Sequence, residues 1–333
     1  MKHQTHTLRW ALGLWLVGLC WVFLGTAAGS EGWQAWWWQA DELAHQIVID
    51  IRLPRSLGAW LGGALLGLAG AVAQGLFRNP LADPYLLGSA SGASFGVALY
   101  LSVFGGSLWA MQVWMGLGMT GAAFVGAVLA VMLTLALARG VQQTLRLLLA
   151  GVVVGVVLGA LTSLLSLLQP QVLQAMQGFM LGSTAFVSWA ACGVLAAVLL
   201  PCLLLSAVFA RVLDALTLGE ATAQSLGVPL RSARLALVGV LSLATGAAVA
   251  HIGLVAFVGL AAPHLVRSLV RTTHAGSLLL SALMGGLLLV LADVWARVLF
   301  APQELPVGVL TAVIGGGYLL WRVYRVSESG GRA

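Results

Sequence analysis

The sequence predicts an all-α polytopic membrane protein of about ten transmembrane helices, a single domain over 1–333, and three observations carry that reading. Of the 333 residues, 60% are hydrophobic and only 8% are charged, against about a quarter charged in a soluble domain. The mean hydropathy of +1.01 leaves too little polar surface to face water. At about 20 apolar residues per crossing, the hydrophobic content supplies roughly ten crossings. Finally, the basic residues follow a topology. With both termini in the cytoplasm, thirteen of the sixteen lie inside, and only Arg52, Arg55 and Arg297 lie outside, a strong positive-inside bias. A secreted protein, a nucleic-acid binder and an ordinary cytosolic enzyme are excluded.

Apolar segments fall at about 10–29, 56–76, 86–104, 110–137, 145–168, 186–209, 233–250, 253–270, 276–299 and 306–324. The first reads as a retained helix, because a signal-peptide core is only about 7–15 residues. Short turns follow most spans, including Arg78-Asn79-Pro80 and Pro302-Gln303-Glu304, while 30–55, 169–184 and 210–232 are longer polar connections. Trp33 and Trp36-Trp37-Trp38 suit the outer interface, where indole rings settle at the headgroups. Gly88, Gly92 and Gly96, then Gly151, Gly155 and Gly159, repeat at i+4. Such stripes let helix backbones approach or line a path with small residues. Leu68-Ala69-Gly70-Ala71-Val72-Ala73 echoes Thr245-Gly246-Ala247-Ala248-Val249-Ala250, each after an Arg-Ser pair. Spans 2–5 and 7–10 then form an inverted repeat, a transporter architecture.

The charge inventory limits the chemistry. Lys2 is the only lysine, so the phosphate-binding G-x-x-x-x-G-K-[ST] loop has no candidate here. If ATP drives this chain, a partner binds it, and no cofactor is expected. Cys20, Cys192 and Cys202 lie in apolar runs without metal-ligand spacing and read as small hydrophobes. Two rival functions stay open at this point. A secondary transporter driven by an ion gradient needs ionisable groups near the midplane, and Asp293 is the one acid well inside a span. An intramembrane serine hydrolase needs Ser89 or Ser91 within hydrogen-bond reach of a base such as His251.

The connection at 210–232 has its own signature. Thr217 and Glu220 have capping-box spacing, Gly227 suits a helix C′ position, and Pro229 forbids continuation. A short helix is predicted at about 218–226, as a surface feature or a docking element. Asn79 and Asp83, between prolines, read as turn-makers, and His264 after Pro263 as a packing or capping residue. Asp293 and Arg297 are spaced i,i+4 and can pair with each other, with Glu304 nearby.

Several long motifs occur in order over roughly 50–325. They are Arg52-Leu53-Pro54-Arg55, Gly70-x-x-x-Gln74, Arg78-Asn79-Pro80-Leu81-Ala82-Asp83-Pro84 and Gly88-x-x-x-Gly92-Ala93, then Leu218-Gly219-Glu220…Leu226-Gly227 and Phe257-Val258-Gly259-Leu260-x-x-Pro263-His264-x-x-Arg267, and finally Asp293-x-x-x-Arg297 and Glu304-Leu305-Pro306-Val307-Gly308. In these the chain resembles the FecCD-family permeases of type II ATP-binding-cassette importers for iron chelates (ferric siderophores), haem and cobalamin. The resemblance implies an inner-membrane homodimer working with two cytoplasmic ATPase subunits and an external substrate-binding protein. It implies a coupling helix at 217–227, with Thr217, Leu218, Gly219, Glu220, Ala223, Leu226 and Gly227 seated against the ATPase. It also implies that Arg52, Arg55 and Arg297 receive acidic residues of the binding protein. The chain departs from the family at Thr273-His274-Ala275, where Asp-His-Arg is common, and at Gly317, where a proline is common.

Overall fold

The computed structural model describes residues 2–29, 32–33, 42–104, 115–138 and 144–330. Trp36, Trp37 and Trp38, and the short turns the sequence also predicts at Gly105-Gly106 and Arg139-Gly140, lie outside the described residues. Helix α1 (Lys2–Ala27) leads into a small antiparallel ladder of β1 (Ala28–Gly29) with β2 (Gly32–Trp33). Helix α2 (Glu42–Ile47) passes through a π-helical turn at Val48–Arg52 into α3 (Leu53–Phe77). There follow α4 (Ser89–Phe104), α5 (Met115–Leu137), α6 (Thr144–Leu168), α7 (Pro170–Leu181) and α8 (Trp189–Thr217). The chain continues through α9 (Glu220–Ser225), α10 (Leu230–Ile252), α11 (Val258–Leu269), α12 (His274–Val298) and α13 (Val307–Gly330).

Local chemistry sets the helix ends. Pro54 sits in the first turn of α3, where its missing N–H costs nothing. Arg78 closes that helix in a left-handed conformation, its N–H donating to Gln74 and Gly75 carbonyls. Asn79 Oδ1 accepts the Leu81 N–H and Asp83 Oδ1 accepts the Tyr85 N–H, so both are turn-makers as expected. Ser188 Oγ accepts the Ala191 N–H and caps α8.

Among the described residues seven helices are long and apolar enough to cross a membrane. The other three expected spans are shorter: α4, α11 and the apolar Val307–Tyr318 part of α13. Span eight is broken because Gly253–Phe257 is not helical. Its neighbourhood satisfies the freed backbone groups, as buried irregular backbone in a membrane protein requires: Ser183 N–H donates to the Ile252 carbonyl, Leu254 N–H to Phe179, and Tyr85 Oη–H to Val255. Phe257 begins α11 in a left-handed conformation at φ 68°, and a Cβ on Gly315 would lie only 2.5 Å from its own Cβ. The stretch at 169–184, expected as a polar connection, carries α7. Its glutamines mask an inward stripe of Val172, Met176 and Phe179.

Helix α3 is the axis of the bundle: its apolar window is 89% buried, against 22% for α6. It packs on α12, α10, α11 and α8, and the echoing segments at 68–73 and 245–250 lie within α3 and α10, both largely buried. Lipid tails offer no hydrophobic drive for helix association, so close backbone approach takes over. A Cβ on Gly67 would stand 2.1 Å from the Ser281 carbonyl oxygen, and one on Gly63 2.3 Å from that of Gly285. Gly92 and Gly96 form a second seam, against Gly126 and Ala122 of α5. Gly88 precedes that helix at φ +81° and belongs to the turn. In span five the stripe divides: Gly151 meets the Leu86 carbonyl, whereas nothing stands within 4 Å of a Cβ on Gly159. Gly67→Ala is therefore expected to lose about 1–3 kcal/mol through overpacking against backbone, and Gly159→Ala to be near neutral. Thermal unfolding of the two variants in detergent checks this pair.

Candidate functional site

Two polar networks stand at opposite ends of the bundle, joined by α3 and α12. At the first end, α8 runs on through Thr217, whose hydroxyl donates to the Asp214 carbonyl at 2.7 Å. The expected Thr217–Glu220 capping box is thus not formed. Gly219, at φ 105°, takes the N-cap position without a side-chain bond, and α9 is confined to Glu220–Ser225. The physical reason is that Thr217 is still inside the preceding helix, so its hydroxyl back-bonds there. The C-terminal expectation holds: Gly227 adopts φ +73°. Its N–H reaches the Gln224 carbonyl and the Val228 N–H reaches Ala223, which is a Schellman motif closed by Pro229.

Freed from capping, the Glu220 carboxylate turns to the bundle. It meets Arg234 Nη2 at 2.5 Å and Arg78 Nη2 at 3.9 Å, and Arg234 is buried in the first turns of α10. Asp214, in the last turn of α8, accepts both the His274 backbone N–H at 3.1 Å and the His274 ring at 2.6 Å, a carboxylate at the start of α12 where the helix dipole favours it. His274 thereby gives the departing Thr273-His274-Ala275 segment a fixed anchor. Nearby, Arg267 Nη2 donates to Gln74 Oε1 at 2.5 Å, and Gln74 Nε2 donates to the Leu260 carbonyl. Desolvation raises the Asp83 carboxyl above its ordinary range, opposed by the Tyr85 N–H bond. Leu218 and Leu226 are each 64% exposed at the two ends of α9, while Ala223 is fully buried against its own chain. Ala223 is a floor of the segment, not part of its outer face.

At the second end, Asp293 is the hub. Arg297 Nη2 and the Thr184 hydroxyl both donate to it, and Arg55 Nε joins at 3.2 Å. Arg297 Nη1 also donates to the Gly25 and Ala28 carbonyls, at 2.8 and 3.2 Å, and its Nη2 to Ser56 Oγ at 2.9 Å. Arg55 Nη1 reaches Glu304 at 2.9 Å, and Arg52 Nη1 donates to the Thr26 carbonyl at 3.2 Å. Arg297 is only 1% exposed, the most deeply buried of the three arginines expected on the outer side. Of the two roles the sequence left open for it, pairing with Asp293 is the one formed. Its guanidinium is used up holding the ends of α1, α3 and α12 together.

Other candidates separate here. His251 Nδ1 faces the Ala247 carbonyl at 2.9 Å, and Ser89 Oγ is buried with no hydrogen-bond partner. At Ser89 the serine-hydrolase reading therefore lacks its nucleophile–base contact. His264 packs edge-on to Tyr318. Cys192 and Cys202 are buried as expected, but Cys20 is exposed on α1.

A protein-family model described as the FecCD transport family matches residues 12–325. The chain belongs to the FecCD transport family. It is 38% identical to the hemin transport system permease protein HmuU of Yersinia pestis over 326 residues, 96% of this chain and 97% of that protein. It is 37% identical to the vitamin B12 import system permease protein BtuC of Escherichia coli O157:H7, over 98% of each. Among solved structures, an inward-facing metal-chelate type ABC transporter superposes with a TM-score of 0.84 at 30% identity, covering 95% of this chain and 98% of that one. PsaBC from Streptococcus pneumoniae, at a TM-score of 0.56 and 18% identity over 79% and 88% of the chains, shares the fold alone. This FecCD chain is a membrane permease of an ABC importer, a transport component whose ATPase resides in a partner subunit.

Sequence reasoning missed Arg234, Asp214, His274 and Thr184 as members of these networks. Arg234 carried a signal, since an arginine inside an apolar helix calls for a counter-ion. Thr184 carried none, because its partner lies 109 residues away.

Proposed function

We propose that this FecCD chain forms the inner-membrane homodimeric core of an importer for a metal chelate or tetrapyrrole, that is a ferric siderophore, haem or cobalamin. Two cytoplasmic ATPase subunits drive it, and an external substrate-binding protein delivers the cargo. The observation that carries this reading is the pair of charged networks at the two ends of one tightly packed α3–α12 unit. Ten crossings follow if α4, the broken span of Gly253–Leu269, and α13 each cross once, with both termini inside and spans 2–5 and 7–10 as inverted repeats.

Residues 217–227 act as the coupling element. Leu218 and Leu226 offer an exposed apolar grip beside Gly219 and Gly227, whose positive φ values shape both bends. Glu220 fixes the element to α10 and α3 through Arg234 and Arg78, so a push from the ATPase moves the bundle and not a loose loop. At the other end Arg52 and Arg55 receive acidic groups of the binding protein, with Arg297 positioning the cluster from beneath. Charge reversal at Arg52 and Arg55 together is expected to weaken binding-protein association by roughly tenfold or more, mainly through its on-rate and most strongly at low salt. Surface-capture kinetics on the reconstituted complex measure this, and unchanged affinity at low salt would refute the docking role. The cargo is tested by reconstituting the chain with its ATPase and binding protein and measuring uptake of labelled haem, cobalamin and ferric siderophore. One of the three is expected to accumulate with ATP; accumulation of none rejects the cargo class.

A further inference from the structure

We propose that Glu304 is a built-in stand-in for the docking partner's carboxylate, and that the substrate-binding protein docks by exchanging its own acidic side chain for Glu304 on Arg55. The inference rests on the docking reading given above and adds the device by which the docking arginine is kept ready. Arg55 is bound by two carboxylates of opposite character. Asp293 is completely buried, receives the Thr184 hydroxyl and Arg297 as well, and belongs to the framework. The Glu304 side chain is 33% exposed and sits on the connection between α12 and α13, whose preceding residues Ala301, Pro302 and Gln303 are all exposed. That connection is held by the Leu305 N–H bond to the Ala296 carbonyl, so the Glu304 side chain can leave while the backbone stays.

Charge explains why a stand-in is needed. Without Glu304, Arg55 and Arg297 would share only Asp293, leaving a net positive charge in a largely buried cluster. With Glu304 the two cations and two anions balance, and the Arg55 guanidinium is held between the buried Asp293 and the partly exposed Glu304. An incoming carboxylate restores the same balance, so the exchange preserves the charge of the cluster and displaces only Glu304, the more exposed partner of the pair. Because one carboxylate replaces another on the same guanidinium, Arg55 is paired before and after the exchange, and only the partly exposed Glu304 side chain moves into water. A partner lacking an acidic group at that point gains nothing, because Glu304 already occupies the site.

The test is a double-mutant cycle on the full complex in lipid nanodiscs, reading the Kd of the binding protein for the parent chain, Glu304→Gln, Arg55→Gln and the double variant. Thermal unfolding of each confirms that the bundle is intact. Glu304→Gln is expected to tighten binding by about two- to fivefold, because the partner's carboxylate then meets Arg55 without a competing anion. Arg55→Gln is expected to weaken it, and adding Glu304→Gln to Arg55→Gln to change nothing further. Unchanged or weaker binding in Glu304→Gln, while Arg55→Gln still weakens it, overturns the exchange and leaves docking at Arg55 in place. Equal tightening with and without Arg55 also overturns it, because Glu304 then acts as a general negative charge. Unchanged binding in Arg55→Gln at low salt overturns the docking reading itself.

Discussion

Reversing the charge at Glu220 with arginine is expected to lower ATP-driven uptake by roughly 5- to 150-fold while leaving the permease folded and in the membrane. The substitution places a third cation beside Arg78 and the buried Arg234. Breaking a fully buried pair costs about 3–5 kcal/mol, but the Glu220 side chain is 32% exposed, so solvent screening reduces the loss. A coupling loss of about 1–3 kcal/mol corresponds to the stated range. The effect should fall on the ratio of cargo moved to ATP hydrolysed more than on hydrolysis itself, because the exposed Leu218 and Leu226 are untouched. Combining Glu220→Arg with Arg234→Glu should recover part of the coupling by restoring a pair of opposite charges. Wild-type transport stoichiometry in Glu220→Arg would remove the anchor from the mechanism.

The second large effect is on stability. Asp293→Asn is expected to destabilise the chain by about 3–5 kcal/mol, since it strips the one fully buried anion from between Arg55 and Arg297. Detergent thermal unfolding should show a clear downward shift. Replacing the central pair together, Asp293→Leu with Arg297→Met, should return much of that loss, because apolar groups of similar volume avoid the desolvation cost of buried ions. Arg55 keeps Glu304 in that variant. The double variant nevertheless loses the bonds from Arg297 to Gly25, Ala28 and Ser56, so its recovery should stop short of the parent. If Asp293→Asn unfolds like the parent, the cluster is not what joins α1, α3 and α12.

The fold class was legible because membrane insertion is written in composition and charge asymmetry, both local properties of the sequence. The axis helix α3 was harder to single out: its hydropathy resembles that of its neighbours, and what places it centrally is the series of glycines meeting backbone on α11 and α12. Span eight read as continuous because apolar content does not report where Gly253–Phe257 leaves the helix. The coupling segment was legible at its C-terminal end, where Gly227 and Pro229 act locally. Its N-terminal end was misread because Thr217 suits both a cap and a last helical turn, and the length of α8 decided between them. The arginines at the other end were found, but their division of labour was not. Arg297 and Arg55 are both buried while Arg52 is only partly so, and what sets Arg297 apart is its bonds to the carbonyls of Gly25 and Ala28, which no spacing relates to residue 297.

The most direct measurement is cargo uptake by proteoliposomes containing the permease, its ATPase and its binding protein, with ATP and an imposed proton gradient varied independently. If the chain borrows its energy through residues 217–227, uptake requires ATP and the binding protein, is indifferent to the gradient, and falls in Glu220→Arg. Uptake that follows the gradient without ATP, and is unchanged by Glu220→Arg, would contradict this and identify an ion-driven carrier.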